Sequence, residues 1–228
     1  MDLDHAKWNE QQQRLRELIL KPAFINETRR LCLEQHAMVH AAAMSHTDVR
    51  TFEDEVWAGL SEAAFRAMPV PGAESIAWNL WHITRIEDIT MNLLVAGTSQ
   101  VLNEADWLEQ LQITVRDTGN VMTAAEIADF SSRINMDALR SYRIAVGAQT
   151  RRIVQRLTAS DMKRKMQAQQ LQRIVNEGAV LDVPGAKGLL DFWGRKNVAG
   201  LLLMPATRHP LVHLNESMRL RERWDKRK

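Results

Sequence analysis

A single cysteine, Cys32, in a chain of 228 residues excludes an internal disulfide framework, and no second thiol stands near it at metal-ligand spacing. A reducing compartment suits such a chain. Charge of one sign is not in excess either: 30 basic and 28 acidic residues leave a formal net charge of +2, too weak a field to recruit nucleic acid or an anionic membrane. The basic end (Arg219, Arg221, Arg223, Lys226, Arg227, Lys228) is interleaved with Glu216, Glu222 and Asp225 and reads as a solvated helix terminus. Long hydrophobic runs are missing; the longest, Val198 to Met204, cannot span a bilayer, and the N-terminus lacks the basic and apolar regions of a signal peptide. The glycines are isolated, so no phosphate-cradling loop is present, and no Ser/His/Asp or Cys/His constellation is visible. These absences predict a cytoplasmic protein with no nucleic-acid and no membrane partner.

Alternation of period two is also lacking, whereas the helical period recurs throughout. The pattern predicts helices over 8–20, 23–44 and 52–65, the last two being one bent helix or two, with Pro22 as a break. After the Pro69-Val-Pro71-Gly72 break, Ser75 is the expected N-cap of a helix over 76–95 closed by Gly97. A short helix follows near 104–112. Thr123 and Glu126 have the spacing of a capping box, and Asn135 should cap the most regular helix, running to Thr158. Further helices are expected from Ser160 to about Glu177, across the apolar 188–204, and from Pro205 through Arg223, with Pro210 in a first turn where its missing N–H costs little. Several long helices with short extras predict an all-α protein, packed as an antiparallel four-helix bundle. Residues 1–45 read as an N-terminal helical extension on the same domain as the bundle over 46–228. Its stripe of Trp8, Leu15, Leu18 and Ile19 needs cover from the chain itself or from a second subunit. Trp57, Trp78, Trp81, Phe192 and Trp193 read mainly as core.

What is there is histidine. His209 and His213 stand four apart and share a face of the last helix, and His82, between Trp81 and Ile83, could meet them from another helix. Three neutral imidazoles with one position left open are a donor set for a reactive divalent metal. His36 and His40 have the same spacing, with His46 close behind, and form a rival pair; they read mainly as solvated or interface-facing. Glu216, three residues after His213, is a candidate base or orienting carboxylate, or else the partner of Arg219 or Arg223. Glu87 and Asp88 are expected to pair with Arg85 or other basic residues.

The segment WNLWHITRIED (78–88), preceded by a Pro-Gly turn and Ser75, together with the late His209/His213 pair, resembles the DinB/YfiT-like superfamily of four-helix bundles over most of residues 48–220. That resemblance implies that His82, His209 and His213 hold one divalent ion; zinc or nickel suits nitrogen ligands without a thiolate. It also implies a metal-dependent enzyme, a hydrolase or a thiol-dependent transferase acting on a small molecule, such as a low-molecular-weight thiol, in a homodimer. The alternative it leaves is a non-catalytic metal-binding or protein-interaction bundle of stress-response type. Two departures set this chain apart from subgroups of known reaction. Leu214-Asn215-Glu216 follows the last histidine, and Asn79 stands where many relatives carry a further histidine, still able to face the site as a hydrogen-bonding neighbour.

Overall fold

The computed structural model of the chain describes residues 4–70, 72 and 74–227; Pro71 and Lys228, named above, lie outside the described residues. Asp4 caps the first helix, α1 (His5–Leu18), by accepting the Lys7 N–H. A 3-10 turn at Pro22–Phe24 leads into α2 (Ile25–Met38). That helix does not run on to Met44 as the pattern predicts. It turns at Val39 and His40, goes extended at Ala41, and resumes as one turn, α3 (Ala42–Ser45), whose first N–H is held by the Asp54 carboxylate at 3.2 Å. The 52–65 stretch is likewise two short helices, α4 (Phe52–Trp57) and α5 (Glu62–Arg66), each with its own cap at Thr51 and Ser61.

Ser75 accepts the Trp78 N–H at 2.9 Å and starts α6 (Ile76–Asp88), which widens into π-helix over Ile89–Ala96 and stops at Gly97 in the left-handed region. Then come α7 (Trp107–Leu111), α8 (Ala124–Arg133) behind the Thr123/Glu126 capping box, and α9 (Met136–Arg156) capped by Asn135. The expected helix over 160–177 is only partly there. Thr158 ties its N–H and hydroxyl to the Asp161 carboxylate, and the chain passes through a 3-10 turn and an isolated bridge between Lys165 and Asn197 before α10 (Ala168–Asn176) begins. The C-terminal part comprises α11 (Pro184–Gly194), α12 (Val198–Leu203) and α13 (His209–Asp225). The described residues contain no β-strand.

Every residue of α6 is buried, so α6 is enclosed by the rest of the chain, with α9 and α13 packed against it. A helix in that position is expected to be apolar all round, yet α6 carries Asn79, His82, Thr84, Arg85, Glu87 and Asp88. Buried polar groups need partners, and those partners fix the neighbours of α6. Arg85 donates to the Asp88 carboxylate at 2.9 Å and to the Tyr142 hydroxyl at 2.8 Å. Asp88 also accepts the Val101 N–H at 2.8 Å and the Leu102 N–H at 3.0 Å, anchoring the loop after the π-helix. Arg143 of α9 joins Thr84 at 3.0 Å to Glu53 of α4 at 2.8 Å.

Apolar residues of α6 contribute to two hydrophobic clusters, one around Phe65, Trp81 and Tyr142, the other around Leu15, Leu94 and Trp193. Trp8, Leu15, Leu18 and Ile19 of the leading segment are all buried within the chain itself. The stripe offered to a second subunit is therefore already covered. Among the described residues no helix is long and apolar enough to cross a membrane.

Candidate metal centre

Two prolines shape the approach to the last histidine pair. Pro205 and Pro210 each lack a backbone donor, and between them the chain makes a turn of π-helix, Met204–Arg208, closed by the His209 N–H on the Met204 carbonyl. Pro210 therefore sits in the first turn of α13, as its sequence position predicts, directly after the widened turn that feeds the helix. The loosened carbonyls are recaptured by side chains: the Thr207 hydroxyl lies 2.9 Å from the Leu202 oxygen and 3.1 Å from that of Leu203, and Gln12 of α1 donates to the Leu203 carbonyl at 3.0 Å. The leading helix thus seals the turn that aims His209.

His82, His209 and His213 come together. One ring nitrogen from each lies within 4.8 Å of the other two, and the His82 and His209 Nε2 atoms are 3.2 Å apart. His82 Nδ1–H donates to the Thr118 carbonyl at 2.7 Å, and His213 Nδ1–H donates to Asn79 Oδ1 at 2.7 Å. Each of these bonds uses the only proton of a neutral ring and leaves its Nε2 lone pair free toward the centre. The spacing of the His82 and His209 nitrogens also suits one ion at the usual imidazole–zinc bond length of about 2.0–2.1 Å, for which a tetrahedral edge is roughly 3.3 Å. The donor set fits a divalent transition metal.

Electrostatics favour the same state. Burial, with the neighbouring His213, drives the His82 pKa down to about 3, and burial with His82 and His213 pushes His209 well below the ordinary imidazole range. Neutral rings are the ligand-competent form. Trp78 stacks on His82 at 4.6 Å and 4°, walling one side. Thr118 reaches His82 because the next residue is glycine: at Gly119, with φ of 75°, a Cβ would stand 2.6 Å from Trp78 Nε1. The α6 side of the centre is dry, whereas the His213 side chain on α13 keeps 17% exposure.

Glu216 sits with one carboxylate oxygen 3.6 Å from His213 Nδ1 and is partly exposed; the His213 ring holds its carboxyl below the usual carboxylate range. Among the described residues it forms no salt bridge with Arg219 or Arg223. Asn79 is fully buried and orients His213 directly.

The rival pair is not solvated or interface-facing. His36 and His40 are both fully buried, and their Nε2 atoms each lie 2.8 Å from a different oxygen of Glu87. Glu87 was expected on Arg85 or another basic residue; Arg85 is committed to Asp88, and the two imidazoles take its place. No sequence signal marked Glu87 as their partner, because the pairing crosses from α2 to α6. Thr118 was missed as well, since a backbone carbonyl leaves no trace in residue type.

A family model described as the DinB superfamily matches residues 49–204. A search of curated proteins finds no relative of the chain. The matched stretch includes the whole of α6 with His82 and Asn79 and ends at Met204, the first residue of the π turn that leads to His209. With an all-α structure and a histidine cluster able to hold a metal, the chain belongs to the DinB superfamily.

Proposed function

We propose that this protein is a divalent-metal-dependent enzyme whose centre is His82, His209 and His213, with zinc or nickel as the ion and a hydrolytic or thiol-transfer reaction on a small molecule. The observation that carries the reading is the pair of outward hydrogen bonds, His82 to Thr118 and His213 to Asn79, which leave two Nε2 lone pairs for an ion beside a His82 ring that burial keeps neutral. Three protein ligands leave a position for an exchangeable water or thiol, the arrangement of catalytic rather than structural sites. An ion held by these three rings would supply Lewis acidity, lowering the pKa of a water or thiol toward neutrality.

The remaining roles belong to the chain. Thr118 and Asn79 fix ring orientation, and Trp78 excludes water from the α6 side. Glu216, ionised and open to solvent beside His213, is placed to accept a proton from an incoming nucleophile. A single cysteine, buried and unpaired, fits a cytoplasmic setting.

The test is turnover by metal-loaded, tag-free protein against activated esters and amides, and against electrophiles offered with low-molecular-weight thiols. Activity should vanish on chelation, return with zinc or nickel, and be absent in His82→Ala. An ion bound with no exchangeable position, measured by X-ray absorption and water relaxation, would replace the enzyme with a non-catalytic metal-binding bundle.

A further inference from the structure

Glu87 is a fully buried carboxylate, and burying an ionised carboxylate is costly unless a cation compensates it. Its neighbours meet that requirement with arginine: Glu53 faces Arg143, and Asp88 faces Arg85. Among the described residues Glu87 makes ion-pair contacts only with the imidazoles of His36 and His40, each at 2.8 Å. Burial drives the His36 pKa down to about 4, so that ring is neutral at ordinary pH. Burial alone would raise Glu87, but the two imidazoles hydrogen-bonded to it hold its carboxyl well below the usual range. An ionised carboxylate therefore meets imidazole nitrogen in a dry pocket with no guanidinium or ammonium on it.

We propose that His36, His40 and Glu87 form a second divalent transition-metal site, separate from the three-histidine centre. One ligand atom from each lies within 4.8 Å of the others, and two imidazoles with a carboxylate are a donor set for ions of the zinc and iron(II) class. Both Nδ1 atoms are buried without a hydrogen-bond partner, so within the protein these rings are fixed through Nε2 and Glu87 alone. When the Nε2 lone pairs turn to the ion, each ring proton resides on Nδ1, and that of His40 then faces Glu53 Oε2 at 3.9 Å, a carboxylate behind a ligand imidazole. Gly147 of α9 makes the room: a Cβ there would stand 2.7 Å from His40 Nδ1 and 2.9 Å from Cε1.

The two centres lie on different faces of one helix. Glu87 is five residues beyond His82, about 7.5 Å along α6 and roughly 140° around it, so they do not share a bridging ligand as two-metal sites with ions about 3.5–4 Å apart do. Two of the three ligands come from the chain before residue 49, ahead of the matched family region. The site joins α2 to α6 and has no solvent-facing side, which makes it a structural clamp.

Zinc titration of chelator-stripped, tag-free protein against a competing chromophoric chelator tests this. The wild type should bind two equivalents, and His209→Ala/His213→Ala, which alters only partly exposed histidines, should still bind one. Adding His36→Asn to that variant should abolish the last equivalent while the helical circular dichroism is kept; should this variant not fold, the count in the double variant decides. One equivalent in the wild type and none in the double variant overturns the second site and leaves the three-histidine centre standing. One equivalent in both upholds the second site and removes the first.

Discussion

Asn79 Oδ1 accepts the His213 Nδ1 proton at 2.7 Å, joining the buried helix α6 to α13 through the ring that completes the candidate centre. Hydrogen-bonding partners of this kind set ligand basicity and orientation, and losing one typically costs about 10–100-fold in metal affinity. Asn79→Ala should weaken zinc binding at this centre within that range, whereas Asn79→Asp, which keeps the acceptor and adds charge, should bind at least as tightly. Competition titrations on both variants check this; equal affinity of Asn79→Ala and wild type would show that the bond does not orient a ligand.

Stability of the metal-free protein should fall as pH is lowered from about 6.5 to 4.5. His82 and His36 have folded-state pKa values near 3 and 4, below the ordinary imidazole value of 6.5, so in this window the unfolded chain binds more protons than the folded one. Each such histidine contributes a slope of up to about 1.4 kcal/mol per pH unit. Above pH 7 their effect is flat. The depressed carboxylates Glu53 and Glu87 act in the same direction but only below their ordinary range near 4.5. Urea unfolding in chelator at pH 7.5, 6.0 and 5.0 should give decreasing free energies; identical values would mean that these rings are protonated in the folded state.

Gly147→Ala sets two effects against each other. Inside α9 the substitution gains about 1 kcal/mol of helix propensity, but its methyl carbon would stand 2.7 Å from His40 Nδ1 and 2.9 Å from Met44 Cγ, and overpacking of this kind costs about 1–3 kcal/mol. A lower Tm is expected, together with a shift of the His40 ring resonances. A higher Tm would show that His40 is free to move.

Arg143→Met should be among the most damaging single changes, because among the described residues it leaves the buried Glu53 carboxylate with the Trp57 N–H, 3.0 Å away, as its one remaining hydrogen-bond donor. Breaking one side of a buried pair costs about 3–5 kcal/mol. Adding Glu53→Gln should recover much of the loss. Chemical denaturation of the single and double variants gives the comparison, and a loss below about 1 kcal/mol for Arg143→Met would contradict the pairing.

The parts of this molecule that could be read from sequence are those governed by neighbours in the chain. Ser75, Thr123 and Asn135 cap helices because a hydroxyl or amide meets an N–H three residues on, and Gly97 stops one because it tolerates positive φ. The helix breaks at His40 and Arg164–Gln167 were not legible, since they depend on Asp54, Glu87 and the Lys165–Asn197 bridge, all distant in sequence. The same division runs through the site. Spacing and family resemblance placed His82, His209 and His213 together, and Asn79 beside them, but a buried charge pattern decides the fate of His36 and His40. Their helical spacing matches that of His209 and His213; only the tertiary position of Glu87 distinguishes the two pairs.

Anomalous diffraction at the zinc edge, from crystals of tag-free protein grown with zinc, locates the ion directly. A peak about 2.0–2.1 Å from one ring nitrogen of each of His82, His209 and His213, with solvent or a thiol in the remaining position, is the predicted result. The absence of any peak among these three rings at full zinc occupancy elsewhere, or in zinc-saturated crystals, would contradict a metal centre at this place in the fold.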